Sequence, residues 1–262
     1  MCFTIEKSER IDMEENKKEQ DLTKYSYAFV VWTYCLILLA GAVNVYGIKQ
    51  LGSTVSHHTG NFSQIAIYSY EKQIPFQFIV VILSFFLGSV TSGIVLAHKT
   101  TEGKKAYDKI LISGGIALCM MEVLRFQEWA IAVVPFWLGM QNAMFVTYKE
   151  AVVRTTHMTG ALTDAGFALG SYLRGNTKEI WKVRFYLLSM IVFVVGGYFG
   201  NFLVGYSAFP LSFVGVMYSV IGLWYMNMEE FSFEECLSWL FTLEVTPYES
   251  IVWIFKDDKE AN

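Results

Sequence analysis

The sequence predicts an all-α integral membrane protein with about six transmembrane helices. Hydrophobic residues make up 54% of the 262 positions and charged residues only 17%, whereas soluble domains carry about 25% charged residues. The mean hydropathy is correspondingly positive, at +0.38. Several apolar runs approach the roughly 20 residues that a helix needs to cross a bilayer. These observations favour a protein that is embedded in the membrane along most of its length.

Six apolar runs supply the predicted spans, and polar or acidic segments flank them. The runs cover residues 25–48, 76–97, 107–124, 129–148, 181–204 and 210–226. Residues 1–24 are polar and of mixed charge, which predicts a cytoplasmic tail. Residues 228–262 are acidic and aromatic, which predicts an accessory C-terminal tail. A cleavable signal peptide is not predicted, because no basic start leads directly into an apolar core.

Lysine and arginine residues predict the orientation of the chain in the cell membrane. With six spans and the N-terminus inside, the outer side holds only Lys49, Lys72 and Arg125 among these residues. This asymmetry follows the positive-inside rule and predicts a multi-pass protein with both termini in the cytoplasm. Glu122 and Glu128 lie beside Arg125 at the predicted outer end of two spans. We expect these three residues to form a solvated turn.

One short polar segment occurs twice in the chain. The first copy, residues 55–64, reads VSHHTGNFSQ, and the second, residues 155–164, reads TTHMTGALTD. At an offset of 100 positions a histidine, a threonine and a glycine coincide: His57 with His157, Thr59 with Thr159, and Gly60 with Gly160. Self-similarity at a fixed spacing indicates an internal duplication. We therefore expect a functional site, if there is one, where the two copies meet.

The duplication predicts two membrane repeats, residues 25–126 and 127–227. In both, a Gly-x-x-Asn motif ends an apolar run ahead of the repeated segment, as Gly41 to Asn44 and as Gly139 to Asn142. Three spans per repeat is an odd number, so the second repeat enters the membrane from the opposite side. Such inverted repeats are typical of secondary transporters, whose substrates bind at broken helices between the repeats.

Each repeated segment leads into a short apolar stretch, residues 62–70 and 161–172. We expect each to be a short re-entrant or broken helix after the first span of its repeat, since irregular backbone is tolerated at membrane depth when it lines protein or water. The alternative makes both stretches full spans, which gives eight spans and parallel repeats.

Eight polar residues in and before the repeated segments are the predicted substrate-binding residues: Asn44, His57, Thr59, Asn61, Asn142, His157, Thr159 and Asp164. A hydroxyl next to the free N–H groups of a helix start can cap the helix, and that end attracts anions. Histidine exchanges protons near neutral pH and donates hydrogen bonds. The structural alternative is that the threonines cap short helices, the histidines bond backbone carbonyls in turns, and the amides join helix to helix.

Other kinds of chemistry have little support. The sequence contains no G-x-S-x-G, no H-E-x-x-H and no phosphate-binding loop, so we predict no catalytic residue and no cofactor. The four cysteines, Cys2, Cys35, Cys119 and Cys236, are far apart and predict neither a metal site nor a disulfide framework. Nucleic acid is not a predicted partner, because no dense basic stripe exists. The predicted partners are the lipid bilayer, an unidentified small molecule or ion, and a second copy in a homo-oligomer.

The two motif sets together resemble the YoaK family, also called the domain of unknown function 1275. The resemblance rests on Gly41-x-x-Asn44 with Ser56 to Asn61 in the first half, and on Gly139 to Ala143 with Val153 to Asp164 in the second. It covers about residues 28–227 and implies a multispanning membrane protein whose activity is not established. Many relatives carry aspartate where Asn44 stands, so coupling to a proton or cation through that position is not implied here.

The predicted function is secondary transport of a small solute across the cell membrane, with the site at the repeat interface. One alternative is a membrane-embedded enzyme that uses His57, His157 and Asp164. Another is a non-catalytic scaffold, in which changes in the repeated segments alter assembly and stability but no flux. Transport rests on the analogy with inverted-repeat architecture rather than on a recognised chemical site.

Overall fold

The computed structural model describes residues 28–97, 106–144, 146–148 and 151–227, and this part of the chain forms eight α-helices. They are α1 Ala28–Leu51, α2 His58–Tyr70, α3 Phe76–Ala97, α4 Tyr107–Val123, α5 Ala130–Ala143, α6 Met158–Leu173, α7 Ile180–Tyr206 and α8 Pro210–Asn227. Two 3-10 turns, Gln127–Trp129 and Thr177–Glu179, precede α5 and α7. The predicted tails, residues 1–24 and 228–262, lie outside the described residues.

Three of the described helices are long and apolar enough to cross a membrane. They are α1, the stretch Phe76–Leu96 of α3, and α7. Helices α4, α5 and α8 contain 17, 14 and 18 residues. All six apolar runs thus fold as helices within a few residues of their predicted limits, except for one end of the fourth run. The apolar character of these helices supports a membrane protein.

The fourth run ends earlier than the sequence predicts. Helix α5 ends at Ala143, and the strand β1, Val146–Tyr148, pairs antiparallel with β2, Ala151–Val153. β-Branched and aromatic side chains favour such extended pairing over helix. The prediction of one continuous span over residues 129–148 is therefore wrong at its C-terminal end. The chain therefore leaves the helix one residue after Asn142, and the two strands lie between the helix and the second repeated segment.

Helices α1 and α7 cross in direct backbone contact. A Cβ atom added to Gly41 would overlap the carbonyl oxygen of Phe193, and one added to Gly196 would overlap the carbonyl oxygen of Leu38. Lipid tails are as apolar as leucine, so membrane helices associate through close packing of small residues rather than through the hydrophobic effect. The missing side chains of these two glycines allow that packing.

Helices α3 and α5 repeat the same crossing with the halves exchanged. A Cβ atom on Gly139 would overlap the Phe85 carbonyl oxygen, and one on Gly88 would overlap the Phe136 carbonyl oxygen. Gly139 occupies the place of Gly41, and Gly88 the place of Gly196. In the first crossing α1 of the first half meets α7 of the second half. In this crossing α5 of the second half meets α3 of the first half in the same way.

Helices α4 and α8, the last helix of each half, form a third crossing between the halves. A Cβ atom on Gly115 would overlap the carbonyl oxygen of Gly215, and one on Gly215 would come within 2.5 Å of the carbonyl oxygen of Gly115. Further along, Gly222 approaches the carbonyl oxygen of Asp108. As the residue number increases along α8, the residue number of the contact on α4 decreases, so the two helices are antiparallel.

The prediction that Glu122 lies in a solvated turn with Arg125 and Glu128 is wrong. The Glu122 side chain is buried, 6% exposed. The carboxylate accepts hydrogen bonds from the backbone N–H groups of Leu211 at 3.1 Å and Ser212 at 2.7 Å. Glu122 therefore caps the free N–H groups at the start of α8. Arg125 and Glu128 are exposed, as predicted.

Candidate functional site

In both halves the repeated segment is attached to the helix before it through an asparagine. The Asn44 side-chain oxygen accepts hydrogen bonds from the Ser56 hydroxyl at 2.9 Å and from the Val55 N–H at 3.2 Å. In the second half the Thr156 hydroxyl donates to the Asn142 side-chain oxygen at 2.6 Å. Each asparagine therefore holds the residue that precedes the repeated histidine. This geometry fits a structural bond from loop to helix.

The two repeated segments meet where α2 and α6 begin. The half-buried His57 ring lies near the Thr156 backbone and the His157 ring. It also lies edge-on to Phe193 of α7, with the ring centroids 5.4 Å apart. Burial lowers the pKa of His57, the Thr156 backbone opposes that shift, and His157 reinforces it. The neutral form of His57 is therefore favoured at the contact between the halves.

The first half fills the space beside its repeated histidine with a closed hydrogen-bond network. The Asn61 amide nitrogen donates to the Thr54 carbonyl oxygen at 2.8 Å, and its side-chain oxygen lies 3.0 Å from the Ser53 hydroxyl. The Thr54 hydroxyl also reaches that oxygen, at 3.2 Å. Asn61 is 3% exposed. Its bonding capacity is used inside the loop.

This network indicates the tautomer of the neutral His58 ring. Because the carbonyl oxygen of Thr54 can only accept, the Asn61 nitrogen is fixed as a donor, and it lies 3.1 Å from His58 Nδ1. His58 Nδ1 must then accept, so the proton of the neutral ring is on Nε2. Burial, reinforced by the neighbouring His57, lowers the pKa of His58 to about 4. The ring packs against Phe85 at a centroid distance of 4.3 Å.

Acidification is expected to destabilise the fold through His58. A histidine whose pKa is lower in the folded state than its ordinary 6.5 stabilises the fold above pH 6.5, and that contribution is lost as the pH falls towards about 4. The thermal midpoint of the wild type should therefore fall more steeply over this range than that of His58→Asn, which keeps an acceptor near Nδ1. His157→Asn, at an exposed position, serves as the control. Equal slopes for the wild type and His58→Asn would contradict the assignment.

The second half has an open pocket where the first half has its network. Its lining residues belong to α1, α6, α7 and the loop before α6: Ile37, Arg154, His157, Met158, Ala161, Asp164, Tyr186 and Ser189. Ala161 stands where Asn61 stands in the first copy of the repeated segment. The smaller side chain leaves space that the amide fills in the other half. The Tyr186 phenol lies against the Asp164 carboxylate on one side of this pocket.

The eight predicted site residues lie in three settings. His157 and Asp164 line the pocket, and His57 lies close to His157. The three asparagines hold loops to neighbouring elements, as described above. Thr59 and Thr159 are exposed, and their backbone carbonyl oxygens accept from Ser63 and Thr163, one turn on, at 3.2 and 3.1 Å.

Neither threonine caps its helix, which corrects one structural expectation. The N-cap positions of α2 and α6 are His57 and His157, and neither side chain makes a capping hydrogen bond. The threonines are the second residues of their helices. The N–H groups at these two helix starts therefore have no side-chain cap within the described part of the chain.

Three polar pocket residues were not among those predicted from the sequence: Arg154, Tyr186 and Ser189. Arg154 directly precedes the second repeated segment, so its position was a usable signal. Tyr186 and Ser189 lie on α7, far along the chain, and only the packing of α7 against α6 brings them to the site.

Gln141 forms the most deeply buried polar centre near the site, with no exposed surface. Its amide nitrogen donates to the Leu36 carbonyl oxygen and to the Thr155 hydroxyl, both at 3.1 Å. Its side-chain oxygen accepts from the Tyr218 hydroxyl at 2.6 Å. Gln141 thus joins α1, α5, α8 and the second repeated segment, and a fully satisfied network of this kind favours one packing arrangement.

A family model described as "Protein of unknown function (DUF1275)" matches residues 32–224. The chain belongs to this family. The matched region extends from α1 to α8 and contains both repeated segments, so the DUF1275 family is defined over the helical part that the structure describes. Neither the curated proteins nor the solved structures contain a match to the chain. The motifs that resembled this family on sequence therefore identified it correctly.

Gly160 and Gly60 provide a matched test of the His157 position. A Cβ atom on Gly160 would overlap the His157 ring, whereas one on Gly60 would meet nothing within 4 Å. Gly160→Ala is therefore expected to displace the imidazole and to change the rate at which diethylpyrocarbonate modifies His157, read by mass spectrometry. Gly60→Ala should leave that rate unchanged and favour the helix by about 1 kcal/mol. Equal modification rates in the two variants would contradict the contact.

Proposed function

We propose that this DUF1275 protein is a secondary transporter of a small solute, built from two inverted three-span repeats with α2 and α6 as re-entrant half-helices. The observation that carries the proposal is the meeting of the two repeated segments at the starts of these two short helices, where His57 lies near Thr156 and His157. Transporters of this architecture bind substrate where broken helices of opposite repeats meet, near the middle of the membrane.

Contacts at one end of the helices support a common direction for α1, α4 and α7. Trp32, near the start of α1, stacks on Tyr107 at the start of α4, with centroids 6.0 Å apart. Trp32 also packs against Tyr225, near the end of α8, at 5.0 Å. Tyr34 of α1 packs against Phe185, near the start of α7, at 5.5 Å. Three helix starts and the end of α8 therefore share one end of the protein.

The other end of the protein supports the inversion. Glu122, at the end of α4, caps the start of α8 there. The short connection from α4 through the turn Gln127–Trp129 sends α5 back in the reverse direction. Helix α1 opens the first repeat and α5 opens the second, so their opposite directions favour inverted rather than parallel repeats.

The hydrogen bonds of Asn44 support the re-entrant assignment of α2. Helix α1 continues for seven residues beyond Asn44, to Leu51, which is about 10 Å at 1.5 Å per residue. The chain then returns, because Ser56 bonds to Asn44. Helix α2 therefore begins near the level of Asn44 rather than at the end of α1, and it runs back towards that end of α1. A helix start at this depth, beside α1, offers free N–H groups to a polar solute.

Uptake into reconstituted vesicles tests the proposal. Proteoliposomes would be incubated in a defined mixture of amino acids, organic acids, amines, sugars and nucleosides, and their contents measured by mass spectrometry. We expect one chemical class to accumulate above its level in protein-free vesicles, and this accumulation to be lost in the double variant His57→Ala with His157→Ala. Glu128→Ala, an exposed change, should transport as the wild type does.

Two results would overturn the proposal. If no class accumulates although the protein is monodisperse and folded, a scaffold is favoured over a transporter. If a solute is chemically converted rather than moved, the membrane-embedded enzyme is favoured.

A further inference from the structure

We infer that the pocket at the start of α6 binds a small zwitterion, with its anionic group at Arg154 and His157 and its cationic group at Asp164. The inference deepens the proposed function by naming the substrate class, and it rests on that function only for the claim that the bound solute is transported. As a statement about binding it stands on the pocket alone.

Two side chains of opposite charge share the pocket without neutralising each other. Arg154 and Asp164 both line it, and among the described residues the only ion pair joins Lys182 to Glu179. A guanidinium and a carboxylate that face one space without pairing present both signs of charge to a ligand. A solute carrying both signs satisfies both groups, whereas a simple anion or cation leaves one of them uncompensated.

The rest of the lining limits the size of the ligand. Ile37, Met158 and Ala161 form an apolar wall. The Ser189 hydroxyl donates its hydrogen bond to the Phe185 carbonyl oxygen at 2.9 Å. The Tyr186 phenol lies beside Asp164. With a cavity volume of about 30 Å³, two charged sides and an apolar wall, the pocket fits glycine, β-alanine or alanine better than an amino acid with a large side chain.

The first half shows that the pocket is not a mere consequence of the repeated fold. At the positions equivalent to Arg154 and Asp164 it has Thr54 and Gln64, which carry no charge. The position equivalent to Ala161 holds Asn61, which closes the space through its bonds to Ser53 and Thr54. At these equivalent positions of the described chain, the second half has an opening with charges of both signs and the first half has neither. A ligand site requires that difference, and a purely architectural repeat does not.

A ligand series on the full-length protein in detergent tests the inference. Thermal unfolding would be followed with glycine, β-alanine and alanine, and with acetate and methylammonium as the separate halves of a zwitterion. A ligand that binds only the folded state raises the apparent stability in a concentration-dependent way. We expect a saturable shift with at least one zwitterion and none with acetate or methylammonium at the same concentration and ionic strength.

Charge-removing variants locate the binding. Arg154→Gln and Asp164→Asn should each weaken the zwitterion Kd by tenfold or more. Arg174→Gln, an exposed change at the far end of α6, and Glu71→Gln, an exposed change after α2, should bind as the wild type does. If Arg154→Gln does not fold, Asp164→Asn alone still tests the cationic half of the site.

Three outcomes would overturn the inference. They are the absence of any zwitterion shift, an equal shift with acetate that Asp164→Asn leaves intact, and a zwitterion shift that survives in both charge variants. The vesicle experiment separates this failure from a failure of the proposed function, because accumulation of another solute class would keep the transporter while excluding the zwitterion.

Discussion

Gly139→Ala is expected to destabilise the protein by about 1–3 kcal/mol, the usual cost of forcing extra volume into a packed core. Its new methyl group would overlap the Phe85 carbonyl oxygen, and backbone cannot rotate away as a side chain can. Gly88→Ala, on the facing helix of the same crossing, should behave alike because it meets the Phe136 carbonyl oxygen. The measurement is the free energy of unfolding in detergent.

Gly93→Ala, also on α3, is the matched control for these variants. A Cβ atom there meets nothing within 4 Å, so the variant should be as stable as the wild type or slightly more so. Gly41→Ala and Gly196→Ala test the exchanged crossing and should cost as much as Gly139→Ala and Gly88→Ala. A tolerated Gly139→Ala, or an equal loss with Gly93→Ala, would show that these crossings are looser than described.

Glu122→Ala is expected to cost roughly 2–3 kcal/mol, since hydrogen bonds to charged groups contribute about 1.5–3 kcal/mol. The change removes the acceptor of the Leu211 and Ser212 N–H groups and leaves the start of α8 without its cap. The measurement is again unfolding in detergent, over a range of temperatures.

Glu128→Ala tests whether the loss of a negative charge at the turn between α4 and α5, rather than the loss of the cap, explains the destabilisation. Glu128 is exposed, so the change should stay within about 0.5 kcal/mol of the wild type. Glu122→Gln should fall between the two, because the amide keeps one acceptor but turns an N–H₂ group towards the helix start. If Glu122→Ala and Glu128→Ala are equally mild, the capping role is wrong.

The helices could be predicted well because apolar runs of about 20 residues have few alternatives in a bilayer. The early end of α5 could not be predicted, since the sequence of residues 144–148 is as apolar as the helix before it. Only the pairing of Val146–Tyr148 with Ala151–Val153 decides the outcome. Glu122 was misplaced for a similar reason. Its sequence neighbours are charged, and the N–H groups that it caps lie almost 90 positions later.

The position of the candidate site could be predicted as far as the repeat extends. The duplication placed His57 and His157 in equivalent segments, and the structure brings them close together. The duplication could not show which half contains the pocket. Only the folded structure shows that Asn61 closes the space in the first half and that Ala161 leaves it open in the second. Thr59 and Thr159 coincide in sequence as clearly as the histidines, yet both are exposed, so coincidence alone does not separate site residues from surface residues.

The orientation of α2 relative to α6 tests the central claim, that two opposed repeats build one site. Single cysteines would be placed at Tyr70 and Leu173, the exposed ends of α2 and α6, after the four native cysteines are replaced. Intact cells would be treated with a membrane-impermeant maleimide. We expect Tyr70→Cys to be labelled from outside and Leu173→Cys to be labelled only after permeabilisation. Labelling of both from the same side would mean parallel halves and would contradict the account.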